Sequence, residues 1–171
     1  MPASDQGSTS DRYTLVPRTL IFITRGERIL LSKGAPHKRL WANLYNGIGG
    51  HIEPGEEVLS AAQRELLEET GLSVDDLWLC GTIIITTGKN PGIGIFVLRG
   101  ESESGKPRNS DEGILEWISI NQFDQRPLVE DLYTLLPRVL AMRKSDPPFS
   151  AHYSYDADDR LVINFNSGSP A

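Results

Sequence analysis

The sequence predicts a single α+β domain built around a mixed β-sheet. Three observations support this. Runs rich in β-branched and aromatic residues occur at both ends of the chain and in its middle. Two segments, 57–70 and 129–143, instead carry apolar residues at spacings of three and four. The length, 171 residues, suits one hydrophobic core rather than two.

Taken in order, residues 1–12 are rich in Ser, Asp, Gly and Thr without apolar period and read as a flexible tail. Thr14 to Thr24 is a strand, Arg25-Gly26-Glu27 a turn, and Arg28 to Lys33 the hairpin partner. The stretch KGAPHKRLW is a loop. Leu44 to Ile48 is expected as a third strand, followed by Gly49-Gly50 and a loop, His51 to Glu56, turned by Pro54-Gly55. A helix follows from Glu57 to Thr70, with Val58, Leu59, Ala62 and Leu66 on one face and Gly71 as its left-handed stop. Trp78–Thr87, Ile93–Arg99 and Ile114–Ile120 are further strands. Leu132, Leu135, Leu136, Val139 and Leu140 mark a second helix within Val129–Arg143, which Pro137 should kink or split. Pro147-Pro148 ends it, and FSAHYSYDADDRLVINF reads as two last strands around an Asp-rich turn. Residues 167–171 form a flexible end, leaving 13–166 as one domain without internal repeats.

Composition excludes several classes. With 39% hydrophobic and 23% charged residues the chain is ordinary for a globular protein. A net charge of −6 argues against a broad nucleic-acid surface, which needs clustered Lys and Arg. Small polyphosphates remain open, because divalent cations can sit between an anionic protein and its ligand. No run approaches the roughly 18–20 apolar residues of a membrane span, and the N-terminus lacks the apolar core of a signal peptide, so a cytoplasmic location is expected. Cys80 is the sole cysteine; it reads as a buried, inert thiol.

The informative segment runs from Gly50 to Leu72, GHIEPGEEVLSAAQRELLEETGL. On a helix, Glu65 lies three residues before Glu68 and four before Glu69, so the three carboxylates project within an arc of about 100°. They would repel one another unless a divalent cation neutralised them, and hard oxygen ligands suit Mg²⁺ or Mn²⁺. Such a cation keeps positions for water and phosphate oxygens, which points to phosphate chemistry. The arc borders the apolar stripe, placing the glutamates at the edge of the core. Gly49-Gly50 allows close backbone approach and a carbonyl ligand. Arg64 can pair with Glu56 or Glu57 and hold the loop on the helix. Singly, each feature is commonplace. Jointly, seven fixed identities should recur by chance on the order of once in 10⁸ or 10⁹ windows.

This segment resembles the Nudix box at every defining position: Gly, five residues, Glu, seven residues, Arg-Glu, an aliphatic, any residue, Glu-Glu, any residue, Gly, an aliphatic. The resemblance implies an αβα sandwich with a central mixed sheet and hydrolysis of a phosphoanhydride bond in a nucleoside di- or triphosphate. It implies that the Gly50 carbonyl, Glu65, Glu68 and Glu69 surround two or three Mg²⁺ ions, with Mn²⁺ able to substitute, and that Arg64 and Glu56 form a supporting ion pair. Glu65 is the first candidate for general base. Glu112, in the loop before the strand ILEWISI, is the second and a further metal ligand. Glu116 is assigned a structural role.

Outside the box, YNGIGGHIEPGE, DEGILEW and PFSAHYSYD resemble the 8-oxo-dGTP diphosphatases within that family. This implies a purine deoxynucleoside triphosphate, oxidised at the base, cut to monophosphate and pyrophosphate. It implies Asn46 on the purine edge, Asp131 with Glu130 opposite it and Tyr153 as an aromatic wall; separately, Lys33, Lys38 and Arg39 lie before the third strand, where their charges suit triphosphate oxygens. Departures are Leu128 and Tyr45, where relatives often carry tryptophan. Rival readings are a Nudix enzyme for ADP-ribose, dinucleotide polyphosphates or capped RNA, and a nucleotide-sensing module without turnover. The expected partner is the nucleotide alone, without nucleic-acid polymer or membrane, bound to a monomer or homodimer.

Overall fold

The computed structural model describes Pro2, Gly7 and residues 12–109 and 113–166. The elements run β1 (Leu15–Arg25), β2 (Arg28–Gly34), β3 (Tyr45–Asn46), α1 (Val58–Thr70), β4 (Trp78–Ile85), β5 (Gly92–Glu101), β6 (Gly113–Ser119), α2 (Leu132–Ala141), β7 (Phe149–Tyr155) and β8 (Leu161–Phe165). The sheet order is β3-β2-β1-β5-β4-β7-β8, with β6 paired to β2. The β1/β5 and β4/β7 pairs are parallel and the other pairs antiparallel, so the sheet is mixed.

The strand expected over Leu44–Ile48 is shorter, because the chain changes partner inside it. Tyr45 and Asn46 pair with β2, whereas Ile48 bridges Ile21 and His51 bridges Arg18 on β1. Ile48 exchanges bonds of 2.6 and 3.1 Å with Ile21, and the Thr19 amide donates to the Gly50 carbonyl at 2.9 Å. Glycine makes this crossing possible. A Cβ on Gly49 would stand 2.2 Å from the Thr19 carbonyl oxygen, and its φ is +149°. The glycine run therefore presses the segment before α1 onto the central strand.

Two apolar layers follow from the alternation of β1. Leu20 and Phe22 point into a core with Leu132, Leu135, Leu136 and Val139 of α2; Ile21 and Ile23 point into another with Ala62 and Leu66 of α1. Each fully buried Leu or Ile contributes about 1.5–3 kcal/mol, so the two helices are clamped to opposite faces of one strand. This is the αβα sandwich. The buried face of α1 is turned slightly from the expected one: Ala61, Ala62, Leu66 and Thr70 are buried, while Leu59 is 41% exposed.

The second helix begins at Leu132 rather than Val129, because the preceding residues pair with β3. Tyr45 donates to the Pro127 carbonyl at 2.8 Å and Val129 to the Tyr45 carbonyl at 3.0 Å. Pro137 lies inside α2 without splitting it. Its missing N–H leaves the Tyr133 carbonyl without an in-helix partner, on a residue exposed to solvent. Among the described residues no helix is long and apolar enough to cross a membrane.

Candidate active site

The site is assembled by the entry to α1. Glu57 is the helix N-cap, accepting from the amides of Leu59 at 2.8 Å and Ser60 at 2.5 Å and from the Ser60 hydroxyl at 2.6 Å; the hydroxyl first, then the amides, hold its carboxyl below the usual range. Capping of this kind fixes the first turn. At the other end Gly71 adopts φ 70° and its amide returns to the Leu67 carbonyl. Arg64, one face inward, takes the other candidate acid: Nε meets Glu56 Oε1 at 2.6 Å and Nη2 meets Oε2 at 2.9 Å. Nη2 also donates to the His51 carbonyl at 3.0 Å, and Glu56 accepts from the Glu53 amide at 2.9 Å. Arg64 thus staples both ends of the loop to the helix. Its hydrogen bonds, followed by the Glu53 amide, hold Glu56 down to about 2.

The remaining nitrogen of Arg64, Nη1, reaches Glu65 at 2.8 Å and Glu68 at 3.1 Å. The Glu65 side chain is 14% exposed and that of Glu68 60%, so the face grades from core edge to solvent. Gly50 lies directly against Glu65; a Cβ there would stand 2.5 Å from a carboxylate oxygen. Glu68 and Glu69 occupy the last turn of α1, which has no basic residue. The helix dipole makes that end negative, so carboxylates there are doubly disfavoured and a cation is the natural complement.

The donor set fits a hard divalent cation: three carboxylates of one helix face, with the Gly50 backbone packed against the first of them. The Gly50 carbonyl keeps a second lone pair beside the one used by Thr19. Among the described residues, no three acidic, His or Cys side chains already converge as a metal cluster. Arg64 Nη1 stands between Glu65 and Glu68 and balances their charge, while the two bonds to Glu56 anchor the guanidinium independently. Glu112 lies outside the described residues.

A cavity of about 100 Å³ adjoins this face, lined in part by Ser32, Lys38, Leu40, Trp41, Asn46 and Glu69. Asn46 and Glu69 thus line the same cavity. The Asn46 side-chain oxygen accepts from the Gly47 amide at 2.8 Å, which orients its amide group. Asp131 stands at the N-cap of α2, yet its side chain caps nothing. Burial, and then the neighbouring Glu130 charge, push its carboxyl up to about 6. Tyr153 is buried, and its hydroxyl has no hydrogen-bond partner among the described residues. Burial first, then the Asp131 charge, raise this phenol, so these two groups are neighbours. Neither lines the cavity with Asn46.

Lys33 is on β2, its ammonium 5.7 Å from the Tyr45 ring centroid. Tyr45 is itself buried and donates to Glu116 at 2.7 Å, and Leu128 is buried as well. Cys80 is fully buried and its thiol is pushed up to about 12 by desolvation. Leu40 and Trp41, 55% and 46% exposed, stand at the cavity and were not singled out by sequence pattern. The signal available was an aliphatic–aromatic pair inside an otherwise polar loop.

The NUDIX domain family model matches residues 14–139. An oxidized purine nucleoside triphosphate hydrolase of Mus musculus is 31% identical over 156 residues, 91% of this chain and 93% of that one. Its namesake in Danio rerio is 30% identical over 145 residues, 84% and 89% of the two chains. The crystal structure of a MutT protein from Bacillus halodurans superposes with a TM-score of 0.75 at 23% identity, covering 89% of this chain and 98% of that one. With the family match spanning the first helix, most of the second and most of the sheet, this chain belongs to the Nudix hydrolase family.

Proposed function

We propose that this enzyme is a Mg²⁺-dependent diphosphatase that cuts 8-oxo-dGTP, or a closely related purine deoxynucleoside triphosphate, to the monophosphate and pyrophosphate. The observation that carries this reading is the one cavity that Asn46 and Glu69 both line. It puts an amide suited to a purine edge next to the acidic face suited to phosphate chemistry. The two animal relatives named for oxidised purine triphosphates, aligned over most of both chains, support it.

Nudix hydrolases work with a divalent metal. Bound Mg²⁺, or Mn²⁺ in its place, supplies charge neutralisation at phosphate oxygens and a lowered pKa for the attacking water. Glu65, Glu68, Glu69 and the Gly50 carbonyl are the residues that would hold it. Glu65, the more shielded of Glu65 and Glu68, accepts the proton of the attacking water, with Glu112 the alternative base and further ligand. Arg64 and Glu56 position the helix face and touch no substrate. Lys33 stands ready for the polyphosphate.

On the base side, the Asn46 amide both donates and accepts toward the purine. Asp131, with its carboxyl near 6, is close enough to neutrality to complement the opposite edge either as donor or acceptor, and Tyr153 backs it from the core. The enzyme acts on free nucleotide in the cytoplasm, consistent with a net charge of −6, and requires no polymeric nucleic acid.

The test is a comparison of kcat/KM for 8-oxo-dGTP, dGTP, ADP-ribose and diadenosine polyphosphates with Mg²⁺. A tenfold or greater preference for 8-oxo-dGTP supports the assignment. Preference for ADP-ribose or a dinucleotide polyphosphate replaces the substrate while keeping the chemistry. Binding of nucleotide without turnover of any of the four replaces the enzyme by a sensor.

A further inference from the structure

We infer that Trp41 is the base-stacking platform of this enzyme, a specificity-determining residue on the loop between β2 and β3. The inference rests on the nucleotide reading above and adds the group that grips the base. Purine binding needs an apolar face as well as a hydrogen-bonding edge, because each base carries a π-surface whose burial and stacking stabilise the complex. The aromatic residues around Asn46 do not offer one. Tyr45, its sequence neighbour, is 3% exposed with its hydroxyl tied to Glu116. Tyr153 is 1% exposed, and Leu128 is a buried aliphatic. Trp41 is the aromatic side chain on the cavity that holds Asn46 and Glu69, and it is 46% exposed.

The loop is built to hold that indole in place. Trp41 has φ 60°, a left-handed conformation that a bulky side chain adopts at a cost and keeps only where its surroundings enforce it. The enforcement is visible. The Leu44 amide donates to the Trp41 carbonyl at 3.0 Å, the Asn43 amide to the Gly34 carbonyl at 2.9 Å, and the Gly34 amide to the Leu44 carbonyl at 3.0 Å. Gly34 admits this packing because it has no side chain; a Cβ there would stand 2.4 Å from the Trp41 carbonyl oxygen. The loop is therefore seated on the end of β2. Leu40, 55% exposed on the same cavity, extends the apolar face beside the ring. An exposed indole held by a bonded loop loses little freedom on binding, which favours its use as a contact surface.

The experiment pairs kinetics with equilibrium binding. Trp41→Ala and Trp41→Phe are compared with wild type for hydrolysis of 8-oxo-dGTP and of inorganic tripolyphosphate, and for binding of 8-oxo-dGMP by calorimetry and by quenching of tryptophan emission. Removing one stacking partner should raise KM for 8-oxo-dGTP and Kd for 8-oxo-dGMP by roughly 5- to 150-fold, with kcat changed less than threefold. Phe should restore most of the loss, and handling of tripolyphosphate should be unaltered. Wild-type emission should fall on binding 8-oxo-dGMP, and that fall should be largely absent from Trp41→Phe. Unchanged Kd for 8-oxo-dGMP in Trp41→Ala, with wild-type quenching retained in Trp41→Phe, overturns the platform while leaving the hydrolase assignment intact. If wild type turns over no nucleoside triphosphate, the hydrolase reading fails separately, and the binding arm still decides the role of Trp41.

Discussion

Arg64 grips Glu56 through two bonds, Nε to Oε1 at 2.6 Å and Nη2 to Oε2 at 2.9 Å, and leaves Nη1 for Glu65 and Glu68. One guanidinium therefore sets the loop and the acidic face together. Planar two-point pairing is specific to arginine, so Arg64→Lys and Glu56→Gln should each lower kcat on the order of 10- to 100-fold through misplacement of the glutamates. Steady-state kinetics with circular dichroism of the folded variants checks this. A pH signature accompanies it. Glu56 sits near 2 when folded against an ordinary 4.5, so its stabilisation is fully present above about pH 4.5 and fades as pH falls toward 2. The Tm gap between wild type and Glu56→Gln should be constant from pH 7 to 5 and shrink below pH 4.5.

Gly50→Ala tests the contact between backbone and carboxylate. The new methyl would stand 2.5 Å from a Glu65 carboxylate oxygen, so Glu65 must swing away. The expected outcome is at least a tenfold loss of kcat with a raised Mg²⁺ half-saturation, read from metal titrations of the rate. Tm should fall little, since Glu65 lies at the edge of the core rather than within it.

Asp131 is a group whose burial opposes its charge. Its carboxyl lies near 6 in the folded chain against 3.8 normally, so the folded state is relatively favoured below about pH 3.8 and loses that advantage as pH rises through 6. Asp131→Asn should accordingly stabilise the protein at pH 7.5, by up to about 3 kcal/mol from the size of the shift, and hardly at all at pH 3.5. Chemical denaturation at the two pH values measures this. The same variant should weaken purine binding, because an amide cannot alternate between the two states of a carboxyl.

Tyr45→Phe addresses Glu116. Removing the hydroxyl that donates at 2.7 Å should cost about 1–2 kcal/mol, since a part-buried carboxylate loses its donor. If Glu116 has only this structural role, kcat/KM stays within about threefold of wild type. A large kinetic loss in a stably folded variant would bring Glu116 into the site.

What was legible in the sequence was local. Gly71 marks the end of α1 because a left-handed stop is decided within one turn, whereas Glu57, expected as the first helical residue, is its N-cap. The grouping of Glu65, Glu68 and Glu69 follows from helix geometry alone. Where distant segments compete, the pattern misled or stayed silent. Tyr45 and Asn46 remain on β2 while Ile48 crosses to Ile21, so a five-residue strand became two. Leu59 fits the apolar spacing of α1, but it is exposed and stands outside the core that Ala62 and Leu66 share with β1. Val129 carries helical periodicity and is instead bound to Tyr45. The choice between Glu56 and Glu57 as partner of Arg64 was decided by the cap. The nearness of Asp131 to Tyr153 depends on α2 and β7 sharing one core, and the position of Trp41 on a loop folding back to Gly34. Neither has a periodic signal.

The central claim is that the α1 glutamates hold a divalent cation that drives phosphoanhydride hydrolysis. The most direct measurement is Mg²⁺-dependent release of pyrophosphate from 8-oxo-dGTP by wild type and by Glu68→Gln, a change at a 60% exposed side chain that should leave the fold intact. The account predicts rapid release that is abolished by chelation and reduced at least 1,000-fold, on the order of 4 kcal/mol, in the variant. Pyrophosphate release by Glu68→Gln within threefold of wild type, or wild-type release that persists in excess chelator, would contradict it.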